Sequence, residues 1–258
     1  MGNTSFTLTL VVALFVGMLL ALELGHRLGK RSERLDRNGA HSGTGTVEGA
    51  VFALLGLLVA FTFGGAATRF DARRQLIVEE ANDIGTAYLR IDLLAADARP
   101  PLRALFRKYL DTRLAAYQQP TIEGAYTKLA EVAALQDDIW ALAVAGCNAA
   151  APSPCAILLL PALNAMFDIV ATRTAATMMH PPPIVFAMLC GVGLLCALLA
   201  GYSLEPGTRR KWSHSVVLAL VIALTVWVIL DMEYPRLGFI RVDAFDQVLK
   251  DLRAGMDR

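Results

Sequence analysis

Four long apolar segments alternate with polar stretches along the chain. They run over about residues 6–25, 47–67, 184–204 and 215–231. Roughly 20 apolar residues in a helix cross the hydrocarbon core of a bilayer, where only helices and closed barrels satisfy their own backbone hydrogen bonds. No alternating strand pattern occurs elsewhere in the sequence. The pattern therefore predicts an all-α integral membrane protein with four transmembrane helices.

The four segments group into two hairpins that flank a polar insert. We expect a first transmembrane hairpin over residues 1–67, a helical extramembrane bundle over 68–183, a second transmembrane hairpin over 184–232 and an amphipathic C-terminal tail over 233–258. An insert of this length is too long for an ordinary loop and is expected to fold as a domain. Four spans place the insert and both termini on one face of the membrane.

Apolar residues at helical spacing mark the beginning of the insert. Phe63 and Arg69 are not separated by any turn signal, so we expect the second span to continue as one helix to about Ala95, about 70 Å long. Further helices are predicted from Pro100, from Thr121 to about residue 144, and from about residue 156 to 179. The apolar seam of the long helix comprises Ile77, Ala81, Ile84, Tyr88, Ile91 and Ala95.

Composition narrows the class of protein. Hydrophobic residues make up 55% of the chain, charged residues only 18%, and the mean hydropathy is +0.49, which together argue against a soluble or disordered protein. Lys plus Arg (24) against Asp plus Glu (23) give a formal net charge of +1, without the basic excess that nucleic-acid binding requires. The expected surroundings are a lipid bilayer, with no nucleic acid as partner.

The short connections between paired spans carry an excess of positive charge. The first connection holds five basic residues against two acidic ones, and the second holds Arg209, Arg210 and Lys211 against Glu205. Because short basic loops stay in the cytoplasm, this pattern places the insert outside, in the periplasm if the protein sits in a bacterial inner membrane. The basic residues of the first connection are Arg27, Lys30, Arg31, Arg34 and Arg37.

Two cysteines of the insert bear on the same question. Cys147 and Cys155 bracket a short Gly/Ala/Pro turn between two antiparallel helices, where a disulfide is sterically feasible in an oxidising compartment. The alternative interpretation is a pair of small apolar residues that pack in a core. Both interpretations stay open at the level of sequence.

Small residues at four-residue spacing recur in three of the spans. Such ridges let helix backbones approach closely, which drives association in lipid, either within a subunit or between subunits. The fourth span is rich in large aliphatic residues, so we expect it to face lipid. The packing candidates are Gly17, Ala21 and Gly25 in the first span, Gly56, Ala60 and Gly64 in the second, and Gly193, Ala197 and Gly201 in the third.

The sequence contains no motif typical of an enzyme. It has no Gly-x-Ser-x-Gly elbow, no phosphate-binding loop, no His-Glu-x-x-His and no Cys/His cluster. The four histidines are scattered, so we expect no metal site, no cofactor and no catalytic residue. Arg69 and Arg73 share one face just beyond the second span and are candidates for an electropositive mouth, or alternatively contact lipid phosphates.

Three stretches of sequence carry a resemblance to a known family. The run EGAVFALLGLLVAFTFGGAATRFDARRQLIVEEANDIGTAYLR from Glu48 to Arg90 resembles the signature of bacterial bestrophin-like membrane proteins, and TRTAATMMHPPP and DMEYPRLGFIR fit the same group. Bestrophins proper are pentameric anion channels whose second span lines the pore at an apolar constriction. They hold the insert in the cytosol, opposite to what the loop charges predict here, and the acidic cluster of their calcium site has no counterpart in this chain.

The resemblance implies a channel-like homo-oligomer that passes small anions. By analogy the pore-lining candidates are Phe52, Leu55, Val59 and Phe63, with Phe61 as a further constriction candidate. The alternative hypothesis is a membrane-anchored scaffold that displays the insert to another protein and has no transport activity. The two hypotheses differ in one feature, because the second helix must line a central opening only in the channel.

Overall fold

The described part of the protein is helical throughout and contains no strand. The computed structural model describes residues 2–35, 44–119, 121–149, 154–203, 212–236 and 238–257. Four of its helical stretches are long and apolar enough to cross a membrane, which confirms the predicted fold class. Arg37 and residues 204–211, which hold part of the predicted cytoplasmic charge, lie outside the described residues.

Eight α-helices make up this part of the chain, together with two short 3₁₀ turns at Ile91–Leu93 and Asp243–Phe245. The first helix continues well beyond the predicted end of its span at residue 25, since good helix formers follow the apolar segment. The helices are α1 (Gly2–Leu35), α2 (Thr44–Arg90), α3 (Arg99–Tyr117), α4 (Ile122–Ala149), α5 (Cys155–Met178), α6 (Pro183–Tyr202), α7 (Trp212–Glu233) and α8 (Asp246–Gly255).

The chain divides into two compact units. Residues 2–70 and 180–240 form the first, which we call the membrane unit. Residues 71–179 and 241–257 form the second, which we call the insert unit. Helix α2 contributes its first part to the membrane unit and its remainder to the insert unit, and it is helical without a break from Thr44 to Arg90.

Helices α1, α6 and α7 form the core of the membrane unit. Met18 and Leu22 of α1 pack in one apolar cluster with Cys196 of α6 and Val226 of α7. At Gly25 an added Cβ would overlap the backbone carbonyl of Leu198, and at Gly201 it would overlap that of Leu22. The absence of side chains at these two positions therefore lets the backbones of α1 and α6 touch, as the small-residue pattern suggested.

The share of buried residues differs between the spans. In the most apolar window of α7, 39% of the residues are buried, against 11% in the stretch that contains α2. The expectation that the fourth span faces lipid is therefore wrong for much of its surface. Its large side chains, Ile222 and Val226 among them, fill the space beside the small residues of the other spans, including Gly193.

The insert unit is a helical bundle around a buried polar network. Glu80 of α2 is fully buried, and its Oε1 accepts a hydrogen bond from Arg113 Nε at 2.6 Å. Its Oε2 accepts hydrogen bonds from the Tyr117 hydroxyl at 2.7 Å and from Arg173 Nη1. Burial raises the pKa of the nearby Tyr109 phenol, and the Arg113 guanidinium opposes that shift.

A buried carboxylate fixes the chain after α7. Asp231 is 5% exposed and accepts hydrogen bonds from the backbone N–H groups of Phe239 (2.9 Å) and Ile240 (2.6 Å). Trp227 packs edge-on against the Phe239 ring. Asp231 thus satisfies two backbone donors and holds the segment that follows the fourth span in place.

Candidate pore-lining helix

The part of α2 in the membrane unit has one buried side and one open side. Leu55 and Ala66 are buried in the apolar core of this unit. Val51 contributes its carbonyl oxygen to a contact with Cys196 Sγ at 3.7 Å. Because a helix turns by about 100° per residue, positions three or four residues apart share a side, and these three residues define the packed side.

The four predicted pore-lining residues do not lie on one accessible face. Leu55 is 5% exposed and packs inside its own subunit, so its assignment to a pore is wrong. Phe52 and Val59 are half-buried and pack against the same core. Phe63 is 43% exposed and points away from that core, and its neighbour Phe61 is 71% exposed. Three of the four candidates therefore lie on or beside the packed side of the helix.

Small residues occupy the open side of α2. A Cβ added at Gly49, Gly56 or Gly64 would meet no atom of the described residues within 4 Å. We call this open side the outward face. The exposed residues at its centre are Gly49, Ala53, Gly56, Ala60 and Gly64, spaced four, three, four and four residues apart. Phe63 lies at the border of the outward face.

The two arginines proposed for an electropositive mouth are engaged within the subunit. Arg69 forms an ion pair with Glu233, a buried residue at the end of α7, through Nε at 3.0 Å and through Nη2. His180 Nδ1 lies 3.4 Å from the same carboxylate. Arg69 also lies on the side of α2 away from Ala60 and Gly64, so it does not extend the outward face.

Arg73 is buried and stabilises the end of another helix. It is 7% exposed, and it donates hydrogen bonds to the carbonyl oxygens of Ala176 at 3.1 Å and Met179 at 2.9 Å. These carbonyls lie at the C-terminal end of α5, where a cation interacts favourably with the helix dipole. The structure therefore assigns Arg73 a capping contact, and its prediction as part of an open mouth is wrong.

The remaining candidate positions have clear places in the structure. Cys147 and Cys155 form a disulfide between the end of α4 and the start of α5. On α1, Gly17 lies near the Leu194 side chain, while Ala21 packs against the apolar core of the membrane unit. Ala197 of α6 is fully buried in that core. Within the described ranges, no group of three or more His, Cys, Asp or Glu side chains is arranged to hold a metal ion.

Two acidic residues that organise the structure were not singled out from the sequence as partners of arginines. Glu233 is 2% exposed and pairs with Arg69, and Glu80 pairs with Arg113 and Arg173. The spacing of Glu80 indicates that it is buried, because it lies three residues after Ile77 and four before Ile84 on the predicted apolar seam. A charged residue on such a seam needs a buried partner.

Comparison with known protein families gives a match over most of the chain. The family model described as the bestrophin-like domain matches residues 12–244, which include most of the first span, the other three spans and the insert. No curated protein and no solved structure matches the chain. The match extends over most of the chain and agrees with the order of two spans, insert and two spans seen here.

Proposed function

This chain belongs to the bestrophin-like family of membrane proteins, and we propose that it forms a homo-oligomeric anion channel whose pore is lined by the outward face of α2. The observation that carries the proposal is the open stripe of small residues from Gly49 to Gly64. Small residues in membrane helices are typical of surfaces where another helix approaches closely. The partner we propose is α2 of a neighbouring copy of the chain.

A ring of α2 helices would place the outward faces around a common axis. Ala53, Ala60 and Gly64 would then let neighbouring helices approach, while Phe63 at the border of the face would narrow the opening. Constrictions lined by apolar side chains gate conduction by excluding water. The pore residues in this proposal are those of the outward face with Phe63, in place of Leu55.

The N-terminal end of α2 supports the proposed selectivity for anions. Between Gly49 and Gly64 the outward face carries no charged side chain. Each α2 begins at Thr44, and the N-terminal end of a helix carries partial positive charge from unpaired backbone N–H groups. Several such ends around one axis would attract anions to one mouth of the pore. Arg69 and Arg73 are not part of this mechanism.

A membrane-anchored scaffold is the second candidate function. It is favoured by apolar side chains that the insert unit leaves exposed, among them Leu89 (72%), Ile157 (77%) and Tyr126 (50%). Exposed apolar surface of this kind can bind another protein. In this alternative α2 packs against a partner or lipid and encloses no opening.

The proposed location is the cell membrane of a bacterium, with the insert unit in the periplasm. Basic residues in the short connections support this orientation. The Cys147–Cys155 disulfide supports it independently, because disulfides persist in oxidising compartments and are rare in the cytosol.

Halide flux from liposomes that contain the purified protein tests the channel. We expect chloride efflux above that of empty liposomes, and severalfold faster efflux for Phe63→Ala, because the variant removes apolar bulk beside the proposed opening. The matched control is Leu224→Ala on α7, since Leu224 is 47% exposed and Phe63 is 43% exposed. This control should conduct like the wild type.

Two results would contradict the proposal that α2 lines a channel. A correctly folded oligomer that passes no chloride in any variant would favour the scaffold. Equal acceleration by Phe63→Ala and Leu224→Ala would show that general loosening of the helices, rather than a wider pore at α2, had changed the flux.

A further inference from the structure

A pocket of about 210 Å³ lies within the membrane unit, between α2, the beginning of α6 and α7. Most of its wall is apolar, and Arg69 contributes the charged group. The α2 residues in its wall, Gly65 and Arg69 among them, lie away from the centre of the outward face, so this pocket is separate from the proposed pore. The remaining lining residues are Leu58, Phe61, Thr62, Pro181, Val185, Phe186 and Ile229.

The guanidinium of Arg69 is held so that one nitrogen remains available. Nε and Nη2 donate to Glu233, whose side chain is buried. Nη1 lies over Gly65, where an added Cβ would be 3.3 Å away, and it donates no hydrogen bond to any described residue. A guanidinium has five N–H donors in a fixed fork, so the two on Nη1 can bind an anion while Nε and Nη2 stay on Glu233.

Arg69 lies at the level where the membrane-spanning helices end. Glu233 is the last residue of α7, and α6 begins at Pro183, next to the pocket residue Pro181. The apolar segment of α2 ends just before Arg69. Phosphate headgroups occupy this level of a bilayer, and the hydrocarbon core begins immediately beyond it.

An occupant can reach the pocket from the lipid. Phe61, in the pocket wall, is 71% exposed on the surface of a membrane-spanning helix. The wall offers few polar groups besides Arg69 and Thr62, so a small hydrated anion would lose most of its hydrogen bonds on entering. A ligand with an anionic head and an apolar tail matches both ends of the pocket.

We propose that this pocket binds a membrane phospholipid, with an acyl chain against Leu58, Phe61 and Ile229 and the headgroup phosphate on Arg69 Nη1. Glu233 acts as the positioning residue, because it binds Nε and Nη2 and leaves Nη1 beside Gly65, which lines the pocket. Gly65 keeps the space between the guanidinium and the apolar wall free of a side chain. The proposal does not depend on ion conduction.

Native mass spectrometry of the full chain in detergent tests the site. Phosphatidylglycerol, phosphatidylcholine and water-soluble glycerol phosphate are titrated separately. We expect saturable binding of one phosphatidylglycerol per subunit, weaker binding of phosphatidylcholine with its cationic headgroup, and no binding of glycerol phosphate. Gly65→Leu fills the pocket and should weaken phosphatidylglycerol binding by about tenfold or more, equivalent to about 1.4 kcal/mol.

The control variant is Gly191→Leu. Gly191 is an exposed glycine of α6 outside the pocket, and an added Cβ there meets no described atom within 4 Å. It adds the same side chain to a membrane helix and should leave phosphatidylglycerol binding unchanged.

Arg69→Lys distinguishes the headgroup contact from the acyl-chain contact, because it keeps a cation beside Glu233 but removes Nη1. It should lose the preference for phosphatidylglycerol.

Three outcomes would overturn the proposal. Wild-type binding by Gly65→Leu would show that the lipid lies elsewhere. Equal binding of phosphatidylcholine and phosphatidylglycerol by the wild type would exclude the role of Arg69. Binding of glycerol phosphate as strong as that of phosphatidylglycerol would exclude the acyl-chain contact. None of these outcomes bears on chloride flux, so the failure of this proposal and the failure of the channel proposal can be told apart.

Discussion

Glu80 is the carboxylate at the centre of the buried polar network in the insert unit. It is fully buried, and its two oxygens accept hydrogen bonds from two arginines and a tyrosine. Removing one partner from a buried charge network leaves the others without compensation and is more costly than replacing the whole network. The stability of the insert unit is therefore expected to respond strongly to this side chain.

We predict that Glu80→Gln lowers the free energy of unfolding by about 3–5 kcal/mol, because it leaves Arg113 and Arg173 without the carboxylate. Glu79→Gln is the matched control, since the neighbouring Glu79 is exposed and should change stability by about 0.5 kcal/mol or less. Chemical unfolding in detergent, followed by circular dichroism, measures both variants. Equal effects of the two substitutions would contradict the role assigned to the network.

The sequence predicts which residues of the insert lie on its apolar seam, but it does not predict the partners of the buried charges. The apolar seam of the insert was predictable from spacing, but the pairing of Glu80 with Arg113 and Arg173 was not, since the partners are 33 and 93 residues away along the chain. Arg73 illustrates the same limit. Its position beyond a span suggested a surface mouth, whereas the carbonyls that it caps belong to residues about a hundred positions later.

At the scale of elements, local signals predicted the helices well. The unbroken α2 and the beginning of α3 at the Pro100–Pro101 pair agree with the sequence expectation, because both depend on turn and capping signals close in the chain. Helix α2 ends at Arg90, before the expected Ala95, and a 3₁₀ turn at Ile91–Leu93 follows it. Thr121 accepts a hydrogen bond from the Gly124 N–H at 3.1 Å and caps α4 as predicted.

The orientation of a helix about its own axis was harder to predict. Leu55 was expected to face a pore and is buried, and α7 was expected to face lipid and is the most buried of the four spans. In a membrane helix the lipid-facing side and the packed side are both apolar, so hydrophobicity does not distinguish lipid-facing from packed positions. Small residues do mark one packed site, because Gly25 and Gly201 lie where the backbones of α1 and α6 touch.

The turn between α4 and α5 tests the orientation of the insert. We predict that, in intact cells, a membrane-impermeant maleimide labels the protein only after treatment with an impermeant reductant, because the proposed orientation places the Cys147–Cys155 disulfide on the outer face. The double variant Cys147→Ser/Cys155→Ser is the control and should remain unlabelled, since Cys190 and Cys196 lie within α6. Labelling only after cell lysis would place the insert in the cytosol.

At the scale of the whole molecule, α2 is the least buried of the four spans, and its open side carries small residues. Helix α2 exposes Gly49, Gly56 and Gly64 to open space, although small residues are typical of helix interfaces. A single copy of the chain leaves this face without a partner among the described residues. Association of several copies through α2 would cover it and, in a closed ring, would give the family resemblance a structural basis.

Single-particle imaging of the purified protein in lipid nanodiscs tests the proposed ring of α2 helices, because it measures both the number of subunits and the helix nearest to the symmetry axis. We expect a closed ring in which α2 is innermost and Ala53, Ala60 and Gly64 face the axis or the neighbouring α2. A monomer, or a ring in which the outward face of α2 contacts lipid, would contradict it.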